Sequence, residues 1–311
     1  MPKYIDSILD AVGNTPLVKV GRMAPATGAN IFAKVECLNP GGSIKIRTAL
    51  GMIEAAEQAG LLNEDSIIVE VTSGNQGISM ALIGAVKGYK VRIVMPENMS
   101  IERRKLIQAY GAEVVLTPAG DNIQQAIEAA LAVAHKMAAA DPRVFLPKQF
   151  ENPANPEIHR QTTAEEIIAQ MEGTVDAFVS GFGTAGTITG IGEVLKKAYP
   201  NIKIIVAEPE SAAILSGLEI GHHIQQGIGD GVIPPIMNTE IVDDIILVSD
   251  ADALATARCL ATAEGLLCGV SSGTNIWAAM RIAEKLGPGK NVVTILPDTG
   301  ERYLSTALFD F

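Results

Sequence analysis

Short runs rich in β-branched residues alternate with longer helical stretches along most of the chain, and this alternation constrains the fold more than any other feature. Residues 67–71, 90–95 and 113–116 read as strands, separated by helices at 79–87 and 101–110 and followed by a long Ala-rich helix at 122–140. The segment 149–162 carries prolines and asparagines and reads as a loop that joins two lobes. Beyond it the alternation resumes. Helices are expected at 163–171, 187–198, 250–264 and 275–286, and strands at 177–180, 203–208, 244–248 and 291–296. The Gly-rich stretch 217–231 reads as a long surface loop. The pattern predicts an α/β protein of two doubly wound lobes with a cleft between them.

The 311 residues, 48% apolar and 19% charged, supply a core for one large domain or two ordinary ones and exclude a disordered chain. A net charge of −11 argues against nucleic acid as a partner. No apolar run reaches the roughly 18–20 residues of a membrane span. The first residues lack the apolar core of a signal peptide, so a cytoplasmic location is expected. Cys37, Cys259 and Cys268 are odd in number and without metal spacing, which suits reduced thiols. The histidines are scattered except for His222 and His223, so no metal site is expected.

Three Gly-rich turns carry the chemistry. Residues 181–186, GFGTAG, fit G-x-G-x-x-G between an expected strand and helix, and Glu208 lies 22 residues beyond Gly186. Alone this supports a dinucleotide site, with Glu208 on the ribose. The same backbone N–H groups would hold any phosphate, however, and the hydroxyls of Thr184 and Thr187 suit a terminal monoester better than a bridging pyrophosphate. The second turn, NPGGSIK at 39–45, places Lys45 at a helix start; a solvated first-turn lysine is the plain alternative. The third, TSGNQG at 72–77, offers hydroxyls and N–H groups to a carboxylate, though ordinary helix capping would also account for it.

Taken together these motifs resemble the cysteine synthase (O-acetylserine sulfhydrylase) and cystathionine β-synthase family of fold-type II pyridoxal-phosphate enzymes. The resemblance runs from GNTPL at 13–17 through NPGGSIK, TSGN, QFENPANPEIH, GTAGT, AEPE, GIGDGVIP and CGVSSG to PDTGERYLST. It implies pyridoxal 5′-phosphate as cofactor, bound in the cleft. Carried over by position, Lys45 is the Schiff-base lysine and the general base. Asn75 faces the cofactor's ring hydroxyl, Gly183, Thr184, Ala185, Gly186 and Thr187 hold its phosphate, and Ser271 faces the pyridine nitrogen. Thr72, Ser73, Asn75 and Gln149 bind the substrate carboxylate. The family architecture implies a large lobe of residues 1–39 and 146–311 and a small mobile lobe of residues 40–145.

These residues imply β-replacement or β-elimination on a β-substituted L-alanine through an aminoacrylate. The neutral Ser271 hydroxyl makes a weaker electron sink than an aspartate and favours prompt loss of a β-substituent over transamination. Four positions depart from the family. Ile46 replaces an aspartate, a change that either alters the electrostatics of the helix start or, the favoured reading, is neutral drift. Ala185 replaces a glycine, which matters only where φ must be positive. Gln76 replaces a threonine and could reach the substrate. Asp230, in GIGDG, replaces a small apolar residue, and is either a solvent-facing loop residue or a base for the incoming nucleophile.

Several functions therefore stay open: cysteine synthesis from O-acetyl-L-serine, and a cysteine-consuming, sulfide-releasing reaction in which Asp230 activates water or a thiol to give L-serine or lanthionine. Cystathionine synthesis is a third, suggested by EGLLCG at 264–269, and a non-catalytic regulatory role a fourth. The resemblance implies a homodimer and, as a further partner, the tail of serine acetyltransferase.

Overall fold

The computed structural model describes residues 4–120 and 123–310. Two sheets organise them. The first strands, β1 (Leu17–Val20) and β2 (Asn30–Lys34), pair antiparallel, and α1 (Lys45–Gln58) follows. Next come β3 (Ile67–Val71), α2 (Asn75–Lys87), β4 (Lys90–Pro96), α3 (Ile101–Ala109), β5 (Glu113–Thr117), α4 (Ile123–Ala140) and β6 (Val144–Phe145). Strands β3–β6 form a parallel sheet in the order β5-β4-β3-β6. The chain continues through α5 (Ala154–Ile158), α6 (Ala164–Gln170), β7 (Ala177–Gly181), α7 (Gly186–Ala198), β8 (Lys203–Pro209), β9 (Asp244–Val248), α8 (Asp250–Cys259), α9 (Val270–Leu286) and β10 (Asn291–Ile295). Here the sheet order is β1-β2-β10-β7-β8-β9, parallel except for β1.

Both sheets are covered on both faces, which explains the continuous apolar strands. On α7, Ile188, Ile191 and Leu195 recur at helical spacing and are buried against Phe178, Ile204 and Val206. Each such side chain contributes about 1.5–3 kcal/mol when fully buried. On α4, Ala126, Ala130 and Ala134 form a small-residue stripe; Ala130 and Ala134 share a cluster with Val69 and Val94.

Three features differ from the sequence reading. The stretch expected as a loop at 149–162 is helical from Ala154, continuing as a wide π turn at His159–Thr163 into α6. Pro156 is tolerated because it sits in the first turn, where its N–H would have had no intrahelical partner. Helices α2 and α9 start at Asn75 and Val270, several residues before the expected points, because Gly- and Ser-rich first turns read as loop until tertiary contacts hold them. The stretch 217–231 is not wholly a surface loop, since Gln225 is fully buried and Ile228 is 6% exposed. No helix among the described residues is long and apolar enough to cross a membrane.

Candidate active site

The carboxyl ends of β3, β4, β7 and β10 open into one cleft, the usual place for a ligand in doubly wound sheets. Lys45 enters it as the first residue of α1. The preceding turn needs left-handed backbone at Gly41 (φ 74°) and Gly42 (φ 71°), and Ser43 is bridged to Asp298. Two residues on, buried Arg47 is held by Glu36 and Glu166, and Lys34 shares Glu166 at 2.6 Å. Two cations and two carboxylates thus lock the base of α1 to the large sheet. Burial pulls the Lys45 amine below the usual lysine range, opposed by the nearby carboxylates of Asp230 and Asp298. A lowered value favours the uncharged amine that nucleophilic and base chemistry needs.

Across the cleft, the turn after β7 leads into the N-terminus of α7. A Cβ on Gly186 would stand 2.0 Å from Oδ1 of Asn155, and one on Gly183 would stand 2.5 Å from the Gly227 carbonyl. No larger residue fits at either. Ala185 adopts the left-handed conformation (φ 65°) at the helix cap, so the positive φ that would make this departure matter is present and costs about 1–2 kcal/mol. Asn155 donates from Nδ2 to Thr184 Oγ1 at 2.9 Å, and Thr187 Oγ1 lies 3.4 Å from His159 Nε2. Burial, reinforced by Arg47 and Lys45, holds His159 well below the usual histidine range and therefore neutral. Helix N–H groups with two threonine hydroxyls suit a phosphate monoester, so the residues present fit pyridoxal phosphate.

The 72–76 loop closes the cleft from the small sheet. Gly74 (φ 146°) could not carry a side chain, because its Cβ would meet Arg103 Cδ at 2.0 Å. Asn75 donates to Asp298 at 2.6 Å and accepts from Arg302 at 2.8 Å, so the structure ties its amide to the large lobe and leaves one N–H free. Gln149 reaches Val71 O at 3.0 Å. Gln76 is buried, lines the cleft and makes no hydrogen bond through either amide atom. Ser271 stands at the start of α9 in the cleft wall, 4% exposed.

Asp230 is half-buried and not fully open to solvent. It lines the cleft, with Oδ2 placed 3.0 Å from where a Gly183 Cβ would be. Burial raises its carboxyl above the usual range, opposed by Lys45 and His223. Ile46 is fully buried in the small lobe's apolar core, so this departure acts by packing. Glu208, the acid of the dinucleotide reading, spends its oxygens on Leu215 N, Ser216 N and Ser216 Oγ. It caps its own loop and offers nothing to a ribose.

The sequence reading missed Asp298, Asn155, His159 and Arg103. The first three lie in motifs already singled out, whereas Arg103 had no local signal. Cys37 and Cys268 are buried free thiols with Sγ atoms 3.8 Å apart, and Cys259 is exposed. Among the described residues no cluster of three metal-ligating side chains exists.

The model of the family described as "Pyridoxal-phosphate dependent enzyme" matches residues 8–298. The cysteine synthase of Staphylococcus aureus is 50% identical over 310 residues, covering 99% of this chain and 98% of that one. The chain belongs to the cysteine synthase family of pyridoxal-phosphate-dependent enzymes. Among solved structures of this family, an O-ureido-L-serine synthase is 43% identical with a TM-score of 0.92, covering 99% of this chain and 96% of that one. A hydrogen sulfide-producing enzyme from Fusobacterium nucleatum is 42% identical with a TM-score of 0.92, covering 97% and 100%. The family thus establishes the fold, the enzymatic character and the pyridoxal phosphate dependence that the motifs implied.

Proposed function

We propose that this enzyme converts O-acetyl-L-serine and sulfide to L-cysteine and acetate. The observation that carries the proposal is the convergence of Lys45, the 72–76 loop and the 183–187 turn on one cleft, in a chain half identical to a cysteine synthase. When bound, pyridoxal phosphate supplies an aldehyde for the amino group and a conjugated ring that draws away the electron pair left at Cα. Gly183, Thr184, Ala185, Gly186 and Thr187 hold its phosphate. Thr72, Ser73, Asn75 and Gln149 hold and orient the substrate carboxylate, and Gln76 extends that contact.

Lys45 Nζ, shifted by burial toward its uncharged form, removes the Cα proton. Ser271, in the cleft wall, would offer the bound ring nitrogen a neutral hydroxyl, which favours loss of the β-substituent. A closed cleft excludes water while sulfide adds at Cβ.

Asp230 favours a second reading: L-cysteine as substrate, with sulfide leaving and water or a thiol deprotonated by Asp230 entering to give L-serine or lanthionine. Its support is the carboxylate in the cleft wall, raised by burial toward a value useful to a base. Incubation with each amino acid separates the two readings. Cysteine and acetate formed rapidly from O-acetylserine and sulfide support the first. Sulfide released from cysteine, with no response to O-acetylserine, supports the second, and Asp230→Asn should then slow it. Unchanged products and rates in that variant would remove Asp230 from the mechanism. A homodimer, a cytoplasmic location and docking of a serine acetyltransferase tail belong to the same proposal, by family resemblance. Size-exclusion chromatography with and without that tail peptide checks the assembly.

A further inference from the structure

Arg103 belongs to the small lobe, on α3 between β4 and β5, yet its guanidinium ends among large-lobe residues. It is 2% exposed and lines the cleft. Nη1 donates to Ser100 Oγ at 3.2 Å and also to Oε1 of Gln226, which precedes the GIGDG segment. The guanidinium carbon lies 4.6 Å from the Tyr303 ring centroid, and Nη2 is 4.0 Å from Asp298 Oδ2. Asp298 Oδ2 is the atom that accepts from Asn75. The stem of Arg103 fills the space that Gly74 leaves empty.

One side chain therefore touches the 72–76 loop directly and the loop bearing Asp230 through Gln226. The second loop can transmit a displacement because it is braced internally. His223 Nε2 donates to Gly229 O at 3.0 Å and Nδ1 accepts from Gln225 N at 3.2 Å, so one imidazole spans the stretch containing Gln226. Gly229 N is bonded in turn to Phe182 O, beside the 183–187 turn.

We infer that Arg103 is a positioning residue that couples the loop holding the amino-acid carboxylate to the loop that presents Asp230, so that filling the first site sets the geometry of the second. The inference rests on the proposed assignment of those loops to substrate. A planar guanidinium suits this role: it stacks on Tyr303 while keeping donors for two oxygens, which a lysine cannot do at once.

The test uses the holoenzyme and the variants Arg103→Gln, Gln226→Ala and the double variant, followed by hydrogen exchange and steady-state kinetics. Each single variant should raise exchange in both 72–77 and 225–231 and raise the KM for O-acetylserine at least about fivefold, the equivalent of one lost hydrogen bond. The double variant should be no worse than the worse single one. Exchange rising only next to each substitution, or kinetic losses that multiply in the double variant, would overturn the coupling. Should Arg103→Gln fail to fold, Gln226→Ala decides alone, since it must loosen 72–77 across the cleft. A wild-type enzyme inactive on O-acetylserine would count against the substrate assignment, while the exchange data would still test the coupling.

Discussion

Arg47 and Glu36 are joined by two parallel hydrogen bonds, Nε to Oε2 at 2.7 Å and Nη2 to Oε1 at 2.9 Å, with both side chains buried. The pair sits two residues from Lys45 and closes a network with Glu166, Lys34 and Thr15. Removing one partner of a buried ion pair leaves the other uncompensated, which typically costs about 3–5 kcal/mol. Arg47→Met should therefore lower the urea midpoint of the holoenzyme strongly. Arg47→Lys should fall in between, because a single ammonium cannot grip two carboxylates in parallel. Equal midpoints for wild type and Arg47→Met would refute the anchoring role.

Gly186 is required by space. Alanine there would collide with Asn155 and free the Thr184 hydroxyl that Asn155 holds. Gly186→Ala should weaken cofactor binding roughly 10- to 100-fold, as expected for lost hydrogen bonds to a charged group. Absorbance of the cofactor retained after gel filtration reads this. Gly21→Ala, where nothing lies within 4 Å, should behave as wild type.

Glu70 gives a pH dependence. Its carboxyl is buried at the end of β3, faces the Gln76 amide without closing a hydrogen bond, and is raised by burial from 4.5 to about 8. Between these values the folded chain keeps a proton that the unfolded chain has released. Stability contributed at low pH is thus lost progressively from about pH 5 to pH 8, by up to about 5 kcal/mol. Glu70→Gln should abolish that slope. Parallel curves of thermal midpoint against pH for the two proteins would contradict it.

Much of this was legible in the sequence. The strands 67–71 and 244–248 coincide with β3 and β9, because both are short runs of β-branched and aliphatic residues bounded by turns, β3 buried and β9 at the sheet edge. The site turns were legible because each needs glycine for a stated reason, as at Gly74 and Gly186. Strand β6, two residues long, carries too little pattern to detect. Arg103 was invisible for a different cause: its role arises from Gln226 and Asp298, more than 100 residues away in sequence. The four departures divide the same way. Sequence could mark Ile46 and Asp230 as unusual, but only packing puts one in a core and the other in the cleft.

In the proposed β-replacement Lys45 moves the Cα proton. The most direct test is sulfide-dependent formation of L-cysteine from O-acetyl-L-serine by wild type and by Lys45→Ala, both supplied with pyridoxal phosphate. Wild type should release acetate and form cysteine in equal amounts, and Lys45→Ala should be slower by about 10²–10⁴, the usual contribution of a positioned base. A variant within tenfold of wild type, or a wild type forming no cysteine, would contradict the account.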